Sequence, residues 1–225
     1  MPVRYAQFCP VARALEVVGE RWTLLVAREL LLGPRRFTDL QAGLPGISTN
    51  LLSGRLRALE EAGLVARRAL PPPAASTVYE LTEAATGLAV VLAALADWGR
   101  DQLGPPRPDD EVNGAWLVLG MAVGRTVPPE ASGRTWELRV DGGLPGGETF
   151  HVRSDGGHLR PQRGSAADPD AVLTLGTETL VALATGTLDP GADRAAALVT
   201  VTGDEASARH LLAALAGAPT PSADA

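Results

Sequence analysis

Residues 35–81 read RRFTDLQAGLPGISTNLLSGRLRALEEAGLVARRALPPPAASTVYEL, and the order of signals along this stretch decides the fold. Phe37 to Gly43 predicts a short helix, and Leu44-Pro45-Gly46 predicts a tight turn in which glycine supplies the backbone freedom. Ser48 has N-cap chemistry, because its hydroxyl can accept from a free amide one turn on. A second helix follows, and Gly63 ends it as a C-cap residue does. Leu64 to Leu70 and Thr77 to Leu81 predict two short strands on either side of a proline-rich tip. Helix, turn, helix and a two-stranded wing is the order of a DNA-reading module.

The second helix has two faces. Leu52, Leu56 and Leu59 form an apolar stripe at helical spacing, flanked by Leu51, Ala58 and Ala62. Asn50, Ser53, Gly54 and Arg57 lie opposite, with Thr49 near the N-terminal end. Small polar groups and one arginine suit a surface that enters a major groove, where bulky side chains would hold the helix off the base edges. Arg55 falls beside the stripe and could reach a phosphate or pair with an acid. An ordinary amphipathic helix shows the same two faces; the turn before it and the wing after it favour the DNA reader. The candidate DNA contacts are therefore Arg35, Arg36, Thr38, Ser48, Thr49, Asn50, Ser53, Arg55 and Arg57, with Ser76 and Thr77 at the wing.

Outward from this stretch, CPVARALEVVGERWTLLVARELLLGPRRFTDL, LPGIS, LLSGRLRALEEAGLV and YELT stand in the order and spacing of a known family. The first 100 or so residues resemble the HxlR-type winged helix-turn-helix transcription regulators. The resemblance implies a homodimer that binds double-stranded operator DNA, and repression rather than activation. Family members often carry lysine where this chain has Asn50, and arginine near the wing tip where it has Ser76. The resemblance thus places more weight on Arg35, Arg36, Arg55, Arg57, Arg67 and Arg68 as phosphate anchors.

The chain has 225 residues, 45% hydrophobic and 20% charged, enough to bury one large core or two small ones. Its net charge of −6 argues against nucleic acid only until it is divided. Residues 1–103 hold 11 Arg against 10 acids, whereas the remainder holds 9 against 16. Six arginines fall within residues 35–68 against three acids, Asp39, Glu60 and Glu61, so a basic footprint sits on a near-neutral domain. One cysteine excludes an internal disulfide. No signal segment or bilayer-length apolar run is present, and a soluble cytoplasmic protein without membrane partners is expected.

Residues 10–32 predict two helices broken near Gly19, the second apolar nearly all round and therefore buried, with Trp22 in the core. Cys9, the lone cysteine, stands where some relatives of the resembled family sense oxidants, and Arg4 and Arg13 would lower its pKa if they approach it. A half-buried apolar position at the dimer contact is the plainer alternative. Thr82 is expected to cap a helix to about Leu103, with Leu88, Val91, Leu92, Leu95 and Trp98 on one side. In the resembled family this helix, with the N-terminal one, joins two subunits and sets the reading helices about one DNA turn, roughly 34 Å, apart. It could equally cover the second half of the chain.

Residues 104–110, GPPRPDD, read as a linker between a first domain (1–103) and a second (111–217), with a disordered tail at 218–225. The second half reads as a helix over 111–124, strands at 135–140, 148–152 and 158–162, a strand at 171–175 leading into a helix through Leu183, a last strand at 197–202 and a helix to about Ala216. The whole is α+β: a winged helix-turn-helix followed by a smaller α+β domain. DAVLTLGTETLVALATGTLDP and VTGDEASARHLLAAL give that domain a fainter resemblance to the sterol-carrier-protein-like fold. Helices on an antiparallel sheet, with an apolar tunnel for a hydrophobic small-molecule effector, are what this implies, with Trp116, Leu119, Val123 and Trp136 as lining candidates. A closed core is the alternative.

Catalytic and cofactor signatures are missing. His151 and His158 flank a glycine turn at a spacing unlike any metal site, and no cysteine joins them. There is no Gly-x-Ser-x-Gly elbow and no phosphate-cradling Gly-x-x-x-x-Gly-Lys, the chain having no lysine. The expectation is a regulator rather than an enzyme, without metal or cofactor. A hydrophobic-ligand carrier and a redox regulator acting through Cys9 are the rival readings.

Overall fold

Pro10 fixes the backbone at the start of the first helix in the computed structural model, which describes residues 4–73, 75–103, 107, 109–143, 149–188 and 197–217. The chain divides into two units, Met1–Ala89 and Val90–Ala225. The expected tail at 218–225 lies outside the described residues, as does most of the expected linker.

In the first unit, α1 (Pro10–Val18) and α2 (Thr23–Leu31) precede α3 (Phe37–Ala42) and α4 (Thr49–Glu61). Strands β1 (Val65–Ala69) and β2 (Thr77–Leu81) pair antiparallel to make the wing, with Val65 opposite Leu81 and Ala69 opposite Thr77. The core gathers Val26, Leu30, Leu40, Leu44, Ile47, Leu52, Leu56, Leu59, Val65 and Tyr79, with Trp22 partly buried against it. Helices α2, α3 and α4, the turn and the wing therefore contribute to one apolar centre.

Two expectations for this unit are corrected. Helix α2 is not covered all round: Leu25 is 38% exposed while Glu29 is 1% exposed. Glu29 shares the inward face with Val26 and is neutralised by Arg28 at 3.0 Å. A side chain at Gly43 would meet the Glu29 carboxylate at 2.6 Å, so glycine makes room for the buried acid. Thr82 flanks a short 3-10 turn (Glu83–Ala85) instead of capping the long helix, and its hydroxyl donates to the Gly63 carbonyl at 2.6 Å.

Helix α5 (Leu88–Leu103) begins at the unit boundary. In the second unit α6 (Gly114–Ala122) starts at a cap, Asn113, whose side chain accepts from the Ala115 amide at 3.0 Å. A five-stranded sheet follows in the order β5-β4-β3-β6-β7, built from β3 (Thr135–Asp141), β4 (Thr149–Asp155), β5 (His158–Arg163), β6 (Ala171–Gly176) and β7 (Val199–Gly203). Helices α7 (Thr177–Ala184) and α8 (Glu205–Ala216) also belong to this unit.

The sheet is not wholly antiparallel as expected: β3 and β6 run parallel, with Trp136 opposite Ala171. The connection from β5 returns past β4 and β3 before β6 begins, and polar ties hold it. Glu137, 2% exposed on β3, accepts from the Ala166 amide at 2.8 Å and pairs with Arg139 at 2.7 Å. Asp170 accepts from the Thr135 amide at 2.8 Å and pairs with Arg134. Trp136, Leu138 and Val140 point into the core on the other face, in the alternation a strand imposes.

Candidate nucleic-acid interface

The second helix of the motif is held from beneath. Leu52, Leu56 and Leu59 are each at most 1% exposed. Fully burying three leucines contributes roughly 1.5–3 kcal/mol apiece against leaving them in water. At the N-terminal end the Ser48 hydroxyl accepts from the Leu51 amide at 3.3 Å. At the C-terminal end Leu64 donates to the Leu59 carbonyl and Gly63 to that of Glu60, both at 2.9 Å. Gly63 sits at φ +71°, the left-handed geometry this double closure needs. Ala62, not Gly63, is thus the last residue in helical geometry, and the glycine lies one place beyond it.

What is fixed from below is open above. Thr49, Asn50, Ser53, Gly54 and Arg57 are all exposed. Arg57 makes no ion pair with any described residue. Gln41, which sequence reasoning passed over, donates from Nε2 to the Thr49 hydroxyl at 2.9 Å and ties α3 to the start of α4. Its polarity on an otherwise short amphipathic helix was the only signal.

The other predicted contacts divide by what already engages them. Arg36 and Thr38 are exposed at the head of α3, and the Arg36 amide donates to Asp39. Arg35 is half-buried; its Nη2 donates to the Asp39 carbonyl at 2.8 Å and its backbone bridges to Tyr79 of the wing. Arg55 pairs with Glu20 at 3.4 Å, Arg67 with Glu60 at 2.8 Å, and Arg68 with Glu80 at 2.9 Å. The Glu80 carboxylate raises the Arg68 pKa above its ordinary value by accepting its hydrogen bonds. Arg67 also stacks over the Tyr79 ring at 5.2 Å. Thr77 is exposed and Ser76 is half-buried, its hydroxyl without a partner among the described residues. The basic cluster that looked uniform in sequence is therefore part neutralised: Arg55, Arg67 and Arg68 meet acids, whereas Arg35, Arg36 and Arg57 form no ion pair among the described residues.

Away from the motif, Cys9 is half-buried at the N-cap of α1. Arg13 is committed to Glu16 at 3.0 Å. The Tyr5 amide and then Arg13, with Arg4 adding a smaller attraction, hold the Glu16 carboxyl below its usual range. Both arginines expected to act on the thiol are thus arranged about a carboxylate. On α5, Val91, Leu95 and Trp98 stay exposed, Trp98 at 72%, while the other side of the helix turns Asp97 to Arg125 at 3.1 Å. In the second unit Leu119 and Val123 are buried, Trp116 is half-buried, and Trp136 is wholly buried with its indole N–H donated to Ser207. A satisfied, enclosed Trp136 behaves as a core residue. Among the described residues no helix is long and apolar enough to cross a membrane.

Known proteins align with the same part of the chain. A family model described as HxlR-like helix-turn-helix matches residues 17–106. An HTH-type transcriptional regulator of Mycobacterium bovis is 46% identical over 99 residues, which are 44% of this chain and 61% of that protein, so the chain spans about three fifths of that relative's length. The HTH-type transcriptional regulator YvaP of Bacillus subtilis is 33% identical over 101 residues, 44% of this chain and 94% of its own. The solved reduced form of the transcriptional regulator YodB from B. subtilis is 32% identical, covers 45% of this chain and all of its own, and superposes with a TM-score of 0.38.

Proposed function

The chain belongs to the HxlR-like helix-turn-helix family, and from that premise we propose that it is a transcription regulator that binds duplex DNA through α4 as a homodimer. The observation that carries this reading is the ridge of Asn50, Ser53 and Arg57, open to solvent and seated on fully buried leucines. Such a ridge is slim enough to reach base edges, and its backing keeps it from shifting. In this reading Ser48, Thr49, Arg36 and Thr38 are the flanking contacts. The exposed apolar residues Phe8, Val11 and Leu15 before and on α1, and Val91, Leu95 and Trp98 on α5, supply faces for a second copy. The second unit is the place for a small-molecule effector, which acts only by binding one arrangement of the dimer better than another.

The test is selection of duplexes from a random library by the full chain, followed by titration of the selected sequence. Arg57→Ala is expected to weaken binding about tenfold or more and to lower the salt slope by about one ion. Unchanged affinity and slope remove Arg57 from the interface. Failure to select any sequence, with ligand binding intact, favours a carrier instead.

A further inference from the structure

Arg125 is the only charged residue between Val112 and Pro129, and it is folded inward. Gly124 before it sits at φ +76°, where an added side chain would meet Ala93 of α5 at 2.6 Å. The Arg125 backbone is pinned on both sides: its amide donates to Ala122 and its carbonyl accepts from Leu159 at 2.9 Å. With 2% of its surface exposed, the side chain donates from Nε to the Met121 carbonyl at 3.3 Å and from Nη2 to Asp97 at 3.1 Å. Nη1 is buried and has no partner among the described residues. An arginine so placed is incomplete, because a buried donor without an acceptor costs more than the bond it forgoes.

The surrounding charge points the same way. Asp97 also faces Arg100 at 3.4 Å, so one carboxylate serves two guanidinium groups. Burial lowers the Arg125 pKa, Asp97 opposes that shift and Arg100 adds to it. Among the described residues two guanidinium groups thus share one carboxylate, one negative charge short of balance.

Arg125 lines a cleft of about 300 Å³ with Thr126, Pro128, His210, Ala213, Ala214 and Gly217. His210 of α8, one-third exposed, stands in the same cleft, with the well-exposed Glu130 at 3.8 Å. Apart from Thr126, the rest of the wall is small and apolar. Its size matches the lower end of small-molecule sites.

We propose that this cleft binds a small organic carboxylate, its head against the Arg125 guanidinium and His210 and its flat apolar body along Pro128, Ala213 and Ala214. A planar carboxylate fits a guanidinium edge, and a single missing charge suits a monoanion better than a phosphate dianion. As a control element the site rests on the regulator reading above, to whose effector it gives a chemical class. Binding itself is read without DNA, so failure at the cleft and failure at the duplex are told apart.

The experiment is calorimetric titration of the full chain with 1-naphthoate and with its neutral counterpart 1-naphthamide. Naphthoate is expected to bind at least tenfold more tightly. Ala213→Phe, at an exposed position on the cleft wall, is expected to weaken naphthoate at least tenfold without changing the melting temperature of the free protein. Arg125→Lys keeps the charge but loses the planar edge, and weakens naphthoate more than naphthamide. Equal affinity for the two probes, full binding by the Ala213→Phe protein, or no naphthoate binding by the unaltered chain each overturns the proposal. Should Arg125→Lys not fold, the probe pair and Ala213→Phe still decide it.

Discussion

The α4 surface of the first unit and the interior of the second handle polar groups in opposite ways. On α4 of the first unit, Asn50, Ser53 and Arg57 stand in solvent while leucines fill the interior beneath them. In the second unit Glu137, Arg125 and the Trp136 indole are turned inward, and each except Arg125 has its hydrogen bonds met by its own chain. A polar group left outside keeps its bonding capacity for a partner at little cost to folding. One carried inside must be satisfied at once, so it ties elements together and is lost to recognition. The difference separates surface that can read a ligand from surface that only holds the fold, and it isolates Arg125 as the member that obeys neither rule.

The largest expected effect tests the support beneath the open ridge. Leu56→Ala removes a side chain that is 1% exposed and should lower unfolding free energy by about 2–5 kcal/mol in chemical denaturation, because the cavity cannot collapse fully. DNA affinity should fall with it even though no DNA-facing group has changed. A stability loss of only a few tenths would mean the ridge is not held by its leucines.

A smaller effect tests an inward tie of the second unit. The Asp170 carboxyl is pushed up by burial, but the Thr135 amide and Arg134 outweigh this and leave its pKa below the ordinary value. A lowered native pKa means stabilisation that is present above the unfolded carboxylate pKa and lost as pH falls through the native one. Asp170→Asn should therefore cost about 1 kcal/mol at neutral pH, the partly exposed Arg134 reducing it. The gap between the two proteins should close below about pH 4. A difference that persists in acid would show that shape rather than charge is the tie.

What could be read from the sequence was local. Ser48, the leucine spacing and Gly63 declared α4 because caps and helical faces depend on residues within a few places of each other. The same holds for β3, whose alternation of Trp136, Leu138 and Val140 places it on a sheet. The misreadings are non-local. Nothing near β6 announces that it lies parallel to β3, since that follows from the path of the 164–170 connection. The burial of Glu29 depends on the missing side chain of Gly43, and that of Arg125 on Asp97, 28 residues away. Of the interface, residue types were legible but not their engagement: Arg55, Arg67 and Arg68 meet acids that sequence spacing does not reveal. The lone charge in an apolar run was the available clue to Arg125, and its meaning needed the fold.

The finest test of the comparison lies at the wing, where an outward group has been partly claimed by its neighbour. Arg68 is bound through Nε and Nη2 by Glu80 on the paired strand, at 2.9–3.0 Å. Glu80→Gln removes the charge but keeps the size and a carbonyl acceptor. If Glu80 merely competes with phosphate, releasing Arg68 should tighten duplex binding about two- to threefold and steepen its salt dependence by a fraction of an ion, the scale of an exposed pair. If Glu80 instead aims Arg68 into the duplex, affinity should drop, because a freed long side chain loses more entropy on docking than one already held. Stability in the absence of DNA should hardly move in either case, since Arg68 is exposed and Glu80 only half-buried, so water screens the pair. A rise would place Arg68 with Arg57 among groups kept open for a partner; a fall would place the Arg68–Glu80 pair with the inward ties of the second unit, as structure that recognition uses indirectly.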